Sequence, residues 1–140
     1  PTDSDRGASE SAALRLRAVL ESSPLIFFSI DKDGKYLASE GKGLLEIGLK
    51  NQEILGKNHF ELFRDQPILV ENVRRALAGE QFTATVPAAD RLFETHYAPT
   101  RGPAGTVTGM IGVSTDVTER ERAAMVKRQA DERRLETERK

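Results

Sequence analysis

The 140-residue chain contains no cysteine. This absence excludes disulfides, thiolate zinc sites, cysteine nucleophiles and thiol-based redox or photochemistry. The only two histidines, His59 and His96, are too far apart in the sequence to form a metal-binding pair on one helix. No apolar run approaches the roughly 18 residues of a membrane-spanning helix, and no signal peptide opens the chain. We therefore expect a soluble domain from a reducing compartment, the cytoplasm, without membrane contact.

An excess of charge of one sign is also absent, since 21 basic residues balance 22 acidic ones. Domains that bind nucleic acid usually carry a clear basic excess, so this balance argues against a nucleic-acid partner. The sequence has no serine, histidine and acid cluster and no phosphate-binding loop of the P-loop type, which argues against an enzyme. The chain starts without Met and stops within a charged run, so we expect a part of a longer protein.

Composition divides the chain into three predicted units. Residues 1–24 are predicted to form a flanking amphipathic helix, which Pro24 ends because the residue before a proline avoids helical geometry. Residues 25–118 hold ten of the eleven glycines and form the predicted globular domain. Residues 119–140 contain fourteen charged side chains and neither Gly nor Pro, which predicts a solvated linker helix.

Five strands are predicted within the globular unit. Two of them, 25–30 and 35–39, flank an Asp-Gly turn, and three more follow at 81–86, 91–98 and 107–115. Short turns connect the strands of each group, so the sequence predicts an antiparallel sheet in the α+β class. The segment between the two groups is helical in pattern, and its helices should cover one face of the sheet.

That helical segment has two parts. Glycines interrupt residues 41–63 too often for one long helix, so short helical pieces are expected there. A longer helix follows, with Asp65 as its predicted N-cap, Pro67 in its first turn and Gly79 just after its end.

The junction between the last strand and the final helix carries the clearest local signal. Thr118 and Glu121 match a capping box, in which each side chain binds the other residue's backbone N–H. Asp116 precedes them, beside the positive end of the helix dipole. The strand thus joins the helix without a loop, and movement of the strand would reach the helix. We predict a signal-relay role for Asp116, Val117, Thr118 and Arg120, with a well-made helix start as the alternative.

The final helix has too few apolar residues to form a core. Ala123, Val126, Ala130 and Leu135 give a thin apolar seam along it. An isolated helix of this length is only marginally stable in water, so pairing in a two-chain coiled coil is one expectation. A plain charged linker is the other.

Four segments resemble the PAS domain, a sensory module common in bacterial signalling proteins. The resemblance spans residues 14–122 and includes the following stretches: IFFSID at 26–31 with DG at 33–34, ALAGE at 76–80, APTR at 98–101, and GMIGVSTDVTER at 109–120. It implies a PAS fold, with a five-stranded antiparallel sheet, short helices on one face and a ligand cavity between them. Members bind haem, flavin or small metabolites, or only dimerise, and they precede output modules such as histidine kinases and cyclases.

Two cofactors of the family are disfavoured by the residues. Covalent flavin photochemistry needs a cysteine near the flavin, and Ser114 occupies the position where light-sensing members tend to carry glutamine. Haem needs a histidine ligand, and His59 is the one candidate, because the strand phase directs His96 away from the cavity. We interpret His59 instead as a partly exposed histidine that begins a helical turn. The cofactor, if any, stays unknown.

Strand phase predicts the side chains that would line the cavity. Most are apolar, and Thr95, Tyr97 and Ser114 are the polar ones. The predicted ligand-binding set is as follows: Phe28, Ile30, Phe60, Leu69, Val73, Leu77, Phe82, Phe93, Thr95, Tyr97, Met110 and Ser114. This mixture suits a small, largely apolar ligand, and it suits a solid core equally well.

Two functional hypotheses follow. In the first, the domain is the input module of a larger bacterial signalling protein, and the binding of a small ligand moves the last strand. In the second, it is a ligand-free dimerisation and relay element. Both expect a parallel homodimer through the N-terminal and C-terminal helices, and an output domain after the chain.

Overall fold

The computed structural model describes residues 24–139 and, before them, only Ser11, Ala12, Leu14, Arg15 and Ala18. Most of the predicted N-terminal helix therefore lies outside the described residues, and that helix stays a prediction.

A single five-stranded antiparallel sheet forms the centre of the fold. Its strands are β1 (Leu25–Asp31), β2 (Tyr36–Glu40), β3 (Phe82–Ala88), β4 (Arg91–Arg101) and β5 (Val107–Asp116). Their order across the sheet is β2-β1-β5-β4-β3, and every neighbouring pair is antiparallel. The predicted α+β architecture is confirmed. The last strand in the chain occupies the middle of the sheet, where both of its edges are paired.

The turn between β1 and β2 is built by an aspartate and a glycine. The Asp31 carboxylate accepts hydrogen bonds from the backbone N–H groups of Asp33 and Lys35, at 2.9 and 3.0 Å. Gly34 then adopts a φ of 93°, a conformation that side chains disfavour. The Asp-Gly signal in the sequence thus acts through this side-chain-to-backbone bonding.

Three helices lie between β2 and β3 and cover one face of the sheet. They are α1 (Gly43–Glu46), α2 (His59–Leu62) and α3 (Pro67–Leu77). Asn58 caps α2 by accepting from two backbone N–H groups. The prediction of Asp65 as the cap of α3 is wrong, because Gln66 holds that position. Pro67 occupies the first helical turn and keeps the residue before it out of helical geometry, which fixes the boundary one residue later than expected.

The core between the helices and the sheet has two adjoining parts. The larger part includes Ile30, Val73 and Met110, which are at most 1% exposed. The smaller part contains four buried residues, Ile26, Leu44, Val86 and Phe93. The Phe28 ring packs against both parts. It therefore sits at the centre of the face that the helices cover.

A long final helix, α4 (Thr118–Arg139), follows β5 with only Val117 between them. Beyond its first turn it leaves the sheet, and nearly all of its described side chains are exposed, including those of the apolar seam. In residues 24–139, no helix has the length and hydrophobicity needed to cross a membrane.

Gly41, which follows β2, provides a test of this packing. Its φ is 124°, and a Cβ atom there would collide with the carbonyl oxygen of Leu25. Gly48 has a φ of 79° with no atom near its missing Cβ, so it shares the backbone strain without the collision. We expect Gly48→Ala to cost about 1 kcal/mol and Gly41→Ala about 3 kcal/mol or more in the free energy of unfolding. Urea denaturation of both variants measures this, and equal losses would contradict the packing described.

Candidate functional site

An inner cavity of about 90 Å³ lies between the sheet and the helical cover. Its wall is mainly aliphatic and aromatic. It is lined by the following side chains: Ile26, Phe28, Tyr36, Ser39, Leu44, Ile47, Leu49, Ile54, His59, Phe63, Leu69, Val73, Val86, Ala88, Phe93, Thr95, Tyr97 and Ser114. A space of this size takes a few water molecules or a small ligand.

Seven of the twelve residues proposed from the sequence line the inner cavity. They are Phe28, Leu69, Val73, Phe93, Thr95, Tyr97 and Ser114. The other five, Ile30, Phe60, Leu77, Phe82 and Met110, belong to the larger part of the core. Strand phase identified the face of the sheet but not the position along it. The hairpin end of the sheet is filled, and the cavity lies toward Ile26 and Ser114, which are paired across β1 and β5.

The structure adds cavity residues that the sequence reasoning did not select. Ile26 and Val86 lie two residues from Phe28 and Ala84, so the same strand alternation could have identified them. Tyr36 and Ser39 come from edge strand β2. Ala88, at the end of β3, continues the alternation of Val86. The other additions come from α1, His59 and the loops around α1 and α2, and they required the tertiary fold, because short helices and irregular backbone give no period that predicts where a side chain points.

Most polar groups on the cavity wall are hydrogen bonded within the protein. The hydroxyls of Thr95 and Ser114 bind each other at 2.7 Å, joining β4 to β5. The Tyr97 hydroxyl accepts from Asn72 Nδ2 at 3.4 Å, and burial raises the pKa of Tyr97. Ser39 also lines the wall and is almost completely buried. A ligand that enters therefore meets a largely apolar interior.

His59 is held inside the protein by both ring nitrogens. Nε2 lies 2.9 Å from the Leu69 carbonyl oxygen, which can only accept, so Nε2 carries the proton. Nδ1 then accepts from the Tyr36 hydroxyl at 2.6 Å. The side chain begins α2 as expected, but it is only 4% exposed, so the prediction of a partly exposed histidine is wrong. Asn58, as the cap of α2, directs the ring inward against Phe63.

The inner cavity alone is too small for haem or flavin. Ligand pockets for molecules of that size usually exceed about 300 Å³, and the inner cavity is several times smaller. His59 is also unsuited as a haem ligand, because both ring nitrogens are engaged.

A second, outer pocket of about 320 Å³ adjoins the inner cavity. The two spaces share six lining residues, as follows: Ile47, Leu49, Ile54, Phe63, Leu69 and Ala88. The outer pocket adds three polar side chains, Glu53, Lys57 and Gln66, which are exposed. The shared wall places the outer pocket directly beside the inner cavity.

Phe28 controls the shape of the inner cavity through its contact with Gly112. The two residues are paired across β1 and β5, and the Phe28 ring lies over the Gly112 Cα so closely that a Cβ there would overlap it. The ring also meets Tyr36 and Tyr97 edge-on, with centroids 6.3 and 6.4 Å away. It connects the cavity to β5 directly.

The start of α4 is bound to β4 by a set of hydrogen bonds that we call the clasp, formed by Asp116, Val117 and Thr118 with Arg91 and Leu92. The backbone N–H of Val117 donates to the Leu92 carbonyl at 2.9 Å. The Leu92 N–H donates to the Thr118 hydroxyl at 2.8 Å, and that hydroxyl donates to Asp116 Oδ1 at 2.6 Å. Asp116 Oδ2 accepts from Arg91 Nε at 2.8 Å.

Asp116, rather than a capping box, caps the helix. Its Oδ1 accepts from the Thr118 N–H at 2.9 Å, while the Glu121 N–H donates to the Val117 carbonyl. The predicted exchange between Thr118 and Glu121 is therefore wrong, because the Thr118 hydroxyl is committed to Leu92. Burial acts to raise the pKa of Asp116, but the hydrogen bonds from Thr118 and Arg91 outweigh it and lower that pKa.

Arg120, the fourth predicted relay residue, makes a separate contact on the outer face. Its guanidinium lies 3.2 Å from the Glu94 carboxylate on β4. Both side chains are accessible to solvent, so this pair adds less to stability than to orientation. All four predicted relay residues thus lie where α4 meets β4.

A family model described as the PAS fold matches residues 20–122. No curated protein matches the chain. Among solved structures, the PAS domain of Bordetella pertussis BvgS is similar to this chain, with 22% identity and a TM-score of 0.56. This similarity covers 90% of this chain and 98% of that one.

Two longer proteins are also similar. An RNA-binding light-oxygen-voltage receptor is 26% identical with a TM-score of 0.65, over 86% of this chain and 37% of that one. The sensor region of a sensor histidine kinase is 24% identical with a TM-score of 0.57, over 69% and 40%. The chain therefore spans less than half the length of these two structures.

The burial of His59 predicts a pH dependence of stability. Burial lowers the pKa of His59, against the opposing effect of its bond to Leu69, so the folded protein keeps the ring neutral. The unfolded chain binds a proton near pH 6.5, so the free energy of unfolding should fall as pH drops below about 6.5. Urea denaturation between pH 7.5 and 5.5 should show this loss in the wild type and in His96→Gln, and a smaller loss in His59→Gln. Equal slopes in the two variants would contradict it.

Proposed function

The chain belongs to the PAS-fold family, and from that premise we propose that it is the signal-input domain of a larger signalling protein, such as a histidine kinase or a cyclic-dinucleotide enzyme. The similarity to the sensor region of a histidine kinase supports this role. The division into a flanking helix (1–24), a PAS domain (25–118) and a linker helix (119–140), the output domain after it and the cytoplasmic location are parts of the proposal.

The ligand in this proposal is small and largely apolar. The observation that carries it is the inner cavity, which the outer pocket adjoins. In this proposal the ligand enters through the outer pocket. A solid core would leave no such space. Phe28, Phe93 and Leu69 would contact the hydrocarbon part of the ligand.

The relay in this proposal runs from the cavity along β4 and β5. Thr95 and Ser114 face the cavity and bind each other across the two strands. Two residues farther along, Phe93 pairs with Asp116, and the clasp begins. A ligand that moves Thr95 or Ser114 would therefore shift β4 against β5 at the point where α4 starts. Glu94 and Arg120 would carry the same shift to the outer side of the first turn of the helix.

Ligand-free dimerisation and relay is the second candidate. The apolar seam of α4 favours it, because Val126 and Leu135 are 66% and 49% exposed in the single chain. Pairing of two such helices in a parallel homodimer would cover the seam. The clasp would serve this function equally well, since it holds the helix to the sheet with or without a ligand.

Catalysis by this domain is not part of the proposal. Thr83, His96 and Glu94 are adjacent on the outer face, with Thr83 Oγ1 2.9 Å from His96 Nδ1 and Glu94 3.7 Å from His96 Nε2. The spatial order of threonine, histidine and glutamate resembles the nucleophile, base and acid of a hydrolytic site. The histidine side chain, however, is 59% exposed on an open strand surface. A hydrolytic site needs a substrate pocket and donors for a developing oxyanion, neither of which this open surface offers.

Native mass spectrometry of the purified chain, with an absorption spectrum, separates the two candidates. A stoichiometric small molecule that leaves on denaturation supports the ligand-binding input module. A dimer with the mass of the bare polypeptide supports the ligand-free relay. A monomer with the bare mass at about 100 micromolar would count against both dimerisation and a tightly held ligand.

The passage between the two spaces can be blocked at Leu69. We expect 4-methyl-1-pentanol, as an apolar probe, to stabilise the wild type by about 1.4 kcal/mol at ten times its Kd. Leu69→Phe should abolish this, because the larger ring occupies the shared wall. Leu37→Phe makes the same change at a side chain that is 58% exposed and outside both spaces, and it should keep the effect. Thermal denaturation reports the shifts, and stabilisation of Leu69→Phe by the alcohol would refute entry by this route.

The clasp can be opened at Thr118 without removing bulk. Thr118→Val leaves the Leu92 N–H without its acceptor, at a cost of about 1 to 3 kcal/mol, whereas Thr118→Ser keeps the hydroxyl. We expect 4-methyl-1-pentanol to change amide hydrogen exchange in residues 118–125 of the wild type and of Thr118→Ser. Thr118→Val should bind the alcohol and lose that change. A ligand-dependent change that persists in Thr118→Val would show that the clasp does not carry the signal.

A further inference from the structure

The outer pocket combines two features that restrict the chemistry of the ligand. One is its apolar floor, which continues into the inner cavity through Leu49, Ile54 and Leu69. The other is a rim with one carboxylate and one ammonium group, those of Glu53 and Lys57. An inference about the class of ligand depends on the proposed ligand-binding function and extends it to the chemistry of the ligand.

The two rim charges are available for a ligand. Neither forms an ion pair with another residue in the described part of the chain, although they are four residues apart in sequence. Gln66, the third polar group of the outer pocket, can both donate and accept a hydrogen bond. A head group with a single charge would find its counter-ion here, but it would also meet a like charge. A head group with both charges would satisfy the two together.

The interior selects the other end of the ligand. The inner cavity is lined by hydrocarbon and by polar groups that mostly bind one another. At about 90 Å³ it suits an aliphatic group of a few carbon atoms better than an aromatic ring system.

We propose that the ligand is an aliphatic α-amino acid of the leucine or methionine kind. Its side chain occupies the inner cavity, its carboxylate pairs with Lys57, and its ammonium group pairs with Glu53. Its head group stays in the outer pocket within reach of Gln66. The amino acid thereby spans both spaces and contacts the wall beside Phe28.

Calorimetric titration of the purified chain with four probes tests this assignment. Leucine carries both charges, 4-methylpentanoate lacks the ammonium group, 3-methylbutylamine lacks the carboxylate, and 4-methyl-1-pentanol lacks both. We expect leucine to bind most tightly. Each missing charge should weaken binding about threefold to fivefold, as is usual for solvent-accessible ion pairs.

Substitutions at the rim assign each charge to its partner. Glu53→Gln should weaken leucine binding about threefold to fivefold and leave 4-methylpentanoate binding no weaker. Lys57→Gln should weaken leucine binding by a similar factor and leave 3-methylbutylamine binding no weaker. Glu61→Gln, at an exposed carboxylate outside both spaces, is the matched control and should change nothing.

The outcomes distinguish this inference from the function on which it rests. Binding of 4-methyl-1-pentanol as tight as that of leucine, or leucine binding unchanged in both rim variants, would overturn the amino-acid assignment and keep the apolar cavity as a ligand site. No binding of any of the four probes would overturn the ligand-binding function itself, and with it the assignment.

Discussion

The hydroxyl of Thr118 is the contact on which the arrangement of sheet and helix depends. It accepts from Leu92 and donates to Asp116, so one oxygen atom continues the β4–β5 ladder and completes the cap of α4. The side chain is buried, and water does not compete for these bonds. The direction in which α4 leaves the sheet is therefore set by β4 as well as by β5. A helix joined to one strand alone could pivot about Val117, whereas this one is fixed at two points.

The face of the sheet that the helices cover is incompletely packed. The closely packed Phe28 and Gly112 form one side of the inner cavity, and the hydrogen-bonded Thr95 and Ser114 form another. Between them and Leu69 the interior is left unfilled. A cavity forfeits dispersion contacts that a solid core would make. The proposed ligand would restore those contacts, so its binding and the packing of β4 and β5 would be coupled.

The sequence was sufficient for the architecture and for part of the site. Alternation along the strands and the Asp-Gly turn predicted all five strands, and strand phase selected Phe93, Thr95 and Tyr97 for the covered face. It could not locate the cavity along the strands, because Met110 and Ser114 have the same phase and only the helical cover distinguishes them. His59 was misjudged for a related reason. Its neighbour in sequence predicts the start of a helix, but its partners Tyr36 and Leu69 come from other elements.

The central position of β5 has a consequence for how the protein is made. The β1–β2 and β3–β4 hairpins have no backbone pairing with each other, and each is joined to the sheet only by β5. Until Asp116 has emerged from the ribosome, the nascent chain carries two separate hairpins, each with an unpaired inner edge. Such edges invite pairing with other chains. The complete sheet can therefore form only after nearly the whole domain has emerged.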